Sequence, residues 1–84
     1  MENTLNNELS EYLKLLRFKH KESQESLAKR LNITRNTYAN WENNPISLSL
    51  ATLIQIGVEL NEDIIIFFKD FVAKSNRELK QKEE

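Results

Sequence analysis

The chain has no cysteine, one glycine, one proline and one histidine in 84 residues. Without cysteine there is neither a disulfide framework nor a cysteine-ligated metal site. His20 has no partners at ligand spacing, so no metal is expected, and no other cofactor is implied. The scarcity of glycine and proline indicates helices with short connections rather than sheet. Gly57 stands alone inside an apolar segment and is no phosphate-cradling loop. No apolar run approaches the ~20 residues that cross a bilayer, and residues 1–20 do not read as a leader. The expectation is a cytoplasmic protein with no membrane partner. No nucleophile–base–acid set stands out, so an enzyme is not expected.

What is there fits one all-α domain with a modest core. The net charge of −1 hides a strong segregation. Residues 1–13 carry three acids and no base, and residues 14–35 carry seven bases against two acids. Residues 36–71 carry five acids against Lys69 alone. Such a basic block is usually a solvated face, but a local field of this kind also attracts polyanions whatever the total charge.

The organising stretch is Ser23 to Glu42. Ser23 is a good N-cap for a helix through Leu27, Ala28 and Leu31. Asn32 tolerates the left-handed backbone that ends such a helix. Ile33 is expected to point into the core, and Thr34 caps a second helix reaching about Asn43. Tyr38 and Trp41 supply that helix with an apolar face; their spacing favours packing over base stacking. Arg35, Asn36 and Asn40 are left for another surface. Arginine pairs with guanine and asparagine with adenine, each through two hydrogen bonds. Gln24, beside the free N–H groups of the preceding helix, suits a phosphate oxygen.

Ser23-Gln24, Leu27-Ala28, Leu31-Asn32-Ile33-Thr34 and Trp41-Glu42 resemble the helix-turn-helix of the phage repressor/Cro (XRE) family, over about Leu9 to Phe68. The chain departs from the family pattern in three places. Asn32 replaces the turn glycine, Lys21-Glu22 replace a glycine and an apolar residue, and the loop Asn43–Ser47 is uncharged. The resemblance implies a five-helix repressor-like fold with a C-terminal dimerisation helix. It implies a partly buried Arg17–Glu42 salt bridge tying two helices together. It also implies a recognition helix in the major groove of double-stranded DNA. Arg35, Asn36 and Asn40 would then read bases, with Thr34 and Thr37 contributing, while Ser23, Gln24, Lys29, Lys19 and Lys21 hold phosphates.

Residues 1–8 read as a flexible lead-in, 9–74 as the domain, and 75–84 as a helical extension or frayed tail. Leu9, Leu13 and Leu16, with Tyr12, mark the first helix, ending near Lys19. Phe18 lies off that stripe. His20 reads as an ordinary loop residue, with a phosphate contact as the alternative. Ser47 or Ser49 caps a helix whose apolar side is expected to be Leu50, Leu53, Ile54 and Val58, with Ile56 on the flank and Gly57 as a close-packing point. Asn61-Glu62-Asp63 cap the last helix. Its run Ile64–Phe68 suits a buried strand by composition alone, but its flanks favour a helix that continues through Phe71, Val72 and, weakly, Leu79. Ile64, Ile66, Phe67, Phe68 and Phe71 give that helix more apolar surface than one small domain covers, so they are expected to build a homodimer. Restriction–modification controller proteins are similar in style in this half.

These readings lead to a sequence-specific transcriptional regulator. It would act as a homodimer on inverted half-sites roughly 34 Å apart and be controlled by concentration, competition or a regulatory protein partner. The alternative is a protein-binding helical module, antirepressor- or antitoxin-like, that keeps the fold without reading DNA.

Overall fold

Three helices end without glycine, although each ends on a left-handed residue. Lys21 (φ 56°), Asn32 (φ 61°) and Asn61 (φ 56°) follow the first, second and fourth helices. At each end the next N–H reaches back across the turn, from Glu22 to Arg17 O, Ile33 to Ala28 O and Glu62 to Gly57 O. These are Schellman closures, which satisfy carbonyls a helix end would otherwise leave bare. The computed structural model describes residues 2–83, with side chains for residues 3–77. Its elements are α1 (Glu2–Lys19), α2 (Gln24–Arg30), α3 (Arg35–Asn43), a 3-10 turn (Pro45–Ser47), α4 (Leu50–Glu59) and α5 (Ile65–Glu83). The described residues are thus all-α with five helices, as the repressor-like fold requires.

Side-chain caps start the inner helices. Ser23 accepts from Ser26 N, Thr34 from Thr37 N and Ser49 from Thr52 N. At the head of α5 the Asp63 carboxylate accepts from Ile65 N at 3.1 Å. Asn61 does not cap α5; it supplies the left-handed end of α4. The core gathers Leu9, Leu13 and Leu16 of α1, Leu27, Ala28 and Leu31 around α2, Tyr38 of α3, and Leu53 and Ile56 of α4 with Leu60 at its C-terminal cap. Ile33 and Trp41 pack half-buried against it.

Four expectations need correction. Residues 2–8 are the first turns of α1 rather than a lead-in. On α4 the buried side is Leu53, Ile56, Gly57 and Leu60, whereas Leu50, Ile54 and Val58 form an exposed stripe. Both stripes are apolar and helically spaced, so periodicity cannot choose between them. Gly57 decides it: a Cβ there would lie 2.9 Å from Glu62 O and 3.4 Å from Ile64 Cβ. Only a glycine lets the α4–α5 corner close over that side.

Ile64 consequently lies in the core, 2% exposed and just ahead of α5, so it is no dimer-interface residue. Phe67 turns to Tyr12 of α1, ring centroids 4.9 Å apart, and Phe71 stacks on Phe67 at 6.2 Å. Both aromatics face α1 rather than the outer side of α5. Ile66 and Val72 remain exposed, and Phe68 is half-buried. The Leu79 side chain lies outside the described residues.

Candidate nucleic-acid interface

Glu42 is the fixed point of the site. It closes the inner face of α3, fully buried, and meets Arg17 of α1 through two hydrogen bonds, Nε to Oε2 at 2.9 Å and Nη2 to Oε1 at 3.0 Å. Paired donors of this kind set orientation as well as energy. Gln24 of α2 donates to the same carboxylate at 3.2 Å. Three helices therefore converge on one side chain. Burial alone would raise the Glu42 pKa, but hydrogen bonds led by Arg17 outweigh it and hold the carboxyl below its ordinary value. Arg17 is raised by the same hydrogen bond. The Tyr38 hydroxyl is buried beside the pair without a hydrogen-bond partner among the described residues. Desolvation pushes its ionisation far above the usual range.

The backbone of the same corner is held by two α1 residues that sequence reasoning missed. Ser10 Oγ, itself buried, donates to Glu42 O at 2.6 Å. The Ile46 N–H donates to Asn6 Oδ1 at 3.0 Å. One bond satisfies a carbonyl that the end of α3 leaves open, and the other pins the following turn. A signal existed. Asn6, Ser10, Leu13 and Arg17 recur at intervals of four, three and four, so two small polar residues share the buried face of α1.

Anchored from beneath, α3 turns Asn36, Asn40 and Asn43 outward, with Arg35 exposed at its first turn. Asn43 was not singled out as a base reader, though it lies seven residues after Asn36 and on the same face. Thr34 is occupied in capping, and Thr37, half-buried, accepts from the Thr34 hydroxyl at 2.8 Å. Ser23 is likewise engaged in a capping box with Ser26.

The basic block is largely neutralised within the fold. Lys14 lies 3.9 Å from Glu11, and Arg30 pairs with Glu22 and Glu59. Lys19 was expected at a phosphate, but its Nζ is 3.0 Å from Glu62 Oε2 at the α4–α5 corner. His20 Nε2 lies 2.6 Å from the same oxygen, so His20 is neither unattached nor committed to a phosphate. The hydrogen bonds from His20 and Lys19 hold the Glu62 pKa low. Among the described residues, Lys21, Lys29 and Arg35 are the cations of this block without an ion pair. Lys29 and Arg35 border the turn between α2 and α3.

Two short helices around a tight turn, the second with an outward polar face above a buried ion pair, define a helix-turn-helix domain. Residues 13–67 match a family model described as helix-turn-helix, of XRE type, and the chain belongs to that family. The family consists of DNA-binding regulators rather than enzymes, and in class this chain is a DNA-binding transcription regulator. Comparison with curated proteins and with solved structures gave no match. No helix among the described residues is long and apolar enough to cross a membrane.

Proposed function

We propose that the protein reads duplex DNA sequence as a homodimer, with α3 in the major groove and Arg35, Asn36, Asn40 and Asn43 facing base edges. The observation that carries this is the outward face of α3, exposed and mounted on a rigid polar anchor. Asparagine accepts and donates in the pattern that adenine presents there, so three asparagines on one stripe favour half-sites rich in A·T pairs. Thr34 and Thr37 lie at the N-terminal end of the same helix, within reach of the adjoining backbone or bases. Lys29 and Lys21 supply phosphate contacts. Gln24 gives one N–H to Glu42 and keeps the other for a phosphate oxygen, beside Ser23.

Dimerisation through the outer side of α5 is supported by Phe68 and Val72. They border a shallow hollow of about 450 Å³ with Lys69, Ala73 and Asn76, on the flank away from α1. Ile66 adds exposed apolar surface at the start of the helix. A two-fold pair built this way would present two recognition helices to an inverted repeat.

Selection from random duplex DNA, read by sequencing at moderate salt, tests the reading. Enrichment of an inverted repeat with adenine in each half-site is expected. Asn36→Ala or Asn40→Ala should then cost about 1–3 kcal/mol on that site and little on random duplex. Equal losses on both would remove the base-reading assignment. The second reading, a protein-binding helical module, is favoured by the few unpaired cations and the uncharged loop after α3. Absence of any duplex binding at low salt by the folded protein would support it.

A further inference from the structure

An unfilled apolar groove lies between α1 and α5. Its volume is about 440 Å³, within the usual range of binding sites. Its floor is aromatic, with Tyr12 against Phe67 and Phe71 stacked beyond. One wall is Leu15, 65% exposed and unused by the core. The rim is acidic: Glu8 and Glu11 stand on the α1 side and Asp70 on the α5 side. Lys74 is the one base in the lining, and it is already joined to Glu8 at 3.1 Å. Asp70 has no ion pair among the described residues, and exposed Glu11 has only the 3.9 Å approach of Lys14. The Tyr12 phenol is raised above its ordinary pKa first by burial, then by Glu62, with Asp63 and Asp70 adding to it against Lys19.

We infer that this groove is a docking site for a basic amphipathic helix of a partner protein. An apolar trough between two helices takes the apolar stripe of a third helix, read at i, i+4 and i+7. The acidic rim selects the partner whose stripe is flanked by lysine or arginine, and repels acidic competitors. The same rim repels phosphate, so the groove is no extension of the DNA surface. None of its lining residues belongs to α2 or α3, and a partner seated there leaves the outward face of α3 open. From Asn7 to Leu15 the groove follows α1 for roughly 12 Å, enough for about two turns of the incoming helix. A site of that size holds a regulatory partner reversibly while the domain is on or off DNA.

The test uses two synthetic 18-residue helical peptides that share a leucine stripe, one flanked by lysines and the other by glutamates. Each is titrated into the full chain and followed by amide chemical shifts, with duplex binding measured in parallel. The lysine peptide should shift Leu15, Phe67 and Phe71 saturably, and the glutamate peptide should not at the same concentrations. E11K/D70K, two exposed changes, should weaken the lysine peptide at least tenfold while the thermal midpoint stays unchanged. Equal binding of both peptides, or shifts centred elsewhere, would overturn the proposal. So would finding that a second copy fills the groove, shown by L15E converting a dimer into a monomer in sedimentation. Loss of duplex binding with the peptide result intact would instead strike the base-reading proposal alone.

Discussion

The corner around Glu42 and the α4–α5 arm are built on opposite terms. At Glu42, polar groups from α1, α2 and α3 meet in the interior, and carboxylate, guanidinium and open carbonyl all find partners. The arm is held by apolar packing, and it leaves Leu50, Ile54, Val58, Ile66 and Val72 in solvent. The first region is closed and fixes a direction, that of α3. The second leaves apolar side chains in solvent, the kind of surface that suits association. Buried charge pairs are sensitive to angle, while apolar faces accept a range of partners.

The largest expected effect separates the two regions. Glu42→Ala strands the Arg17 guanidinium and removes the anchor of Gln24, and should cost about 3–5 kcal/mol in urea unfolding. Val58→Lys, on the exposed stripe, should stay within about 0.5 kcal/mol under the same conditions. Comparable losses would mean that the stripe is covered in solution and the contrast is false. At Gly57 the arm has its own rigid point. Gly57→Ala forces the corner open against a backbone oxygen, at about 1–3 kcal/mol. Ser10→Ala leaves the Glu42 carbonyl unsatisfied, at about 1–3 kcal/mol. If the bond also aims α3, it should lower discrimination between cognate and random duplex more than it lowers binding to random duplex.

Acid should weaken the closed corner. The Glu42 carboxyl is depressed in the folded state, so its contribution is complete above the ordinary carboxylate pKa. It is lost as pH falls through the lower folded value. Glu22 and Glu62, depressed chiefly by hydrogen bonds from Ser26 and His20, act in the same direction. Unfolding free energy should therefore fall with pH below that range, and Glu42→Gln should flatten the fall. One substitution should give a gain. Lys21 holds a left-handed backbone that costs a side-chain-bearing residue about 1 kcal/mol, so Lys21→Gly should stabilise by roughly 0.5–1 kcal/mol.

Local chemistry made much of this legible. Ser23 and Thr34 announce helix starts because a hydroxyl before a helix-forming run has one natural use. Asn32 announces a stop because few side chains tolerate its backbone. The exposed face of α3 was readable because Tyr38 and Trp41 claim the inner side and leave Asn36 and Asn40 outside. Asn6 was hidden within an apparent lead-in, since its role depends on a backbone N–H forty residues away. Lys19 looked available for phosphate because its partner Glu62 is equally distant in the chain.

What the sequence determined by itself is what neighbours within a few residues decide: caps, stops, helical periodicity and the helix-turn-helix spacing. What tertiary structure decided are choices between equally good local options. Two apolar stripes competed on α4, and close approach at Gly57 buried one of them. Seven bases stood in one block, and carboxylates both near and far in the chain left only Lys21, Lys29 and Arg35 without an ion pair among the described residues. The apolar residues at the head of α5 offered more surface than one domain covers, and packing sent Ile64 inward, Phe67 and Phe71 towards α1, and Ile66 into solvent. Such choices depend on distances between segments far apart in the chain, which composition and spacing do not contain.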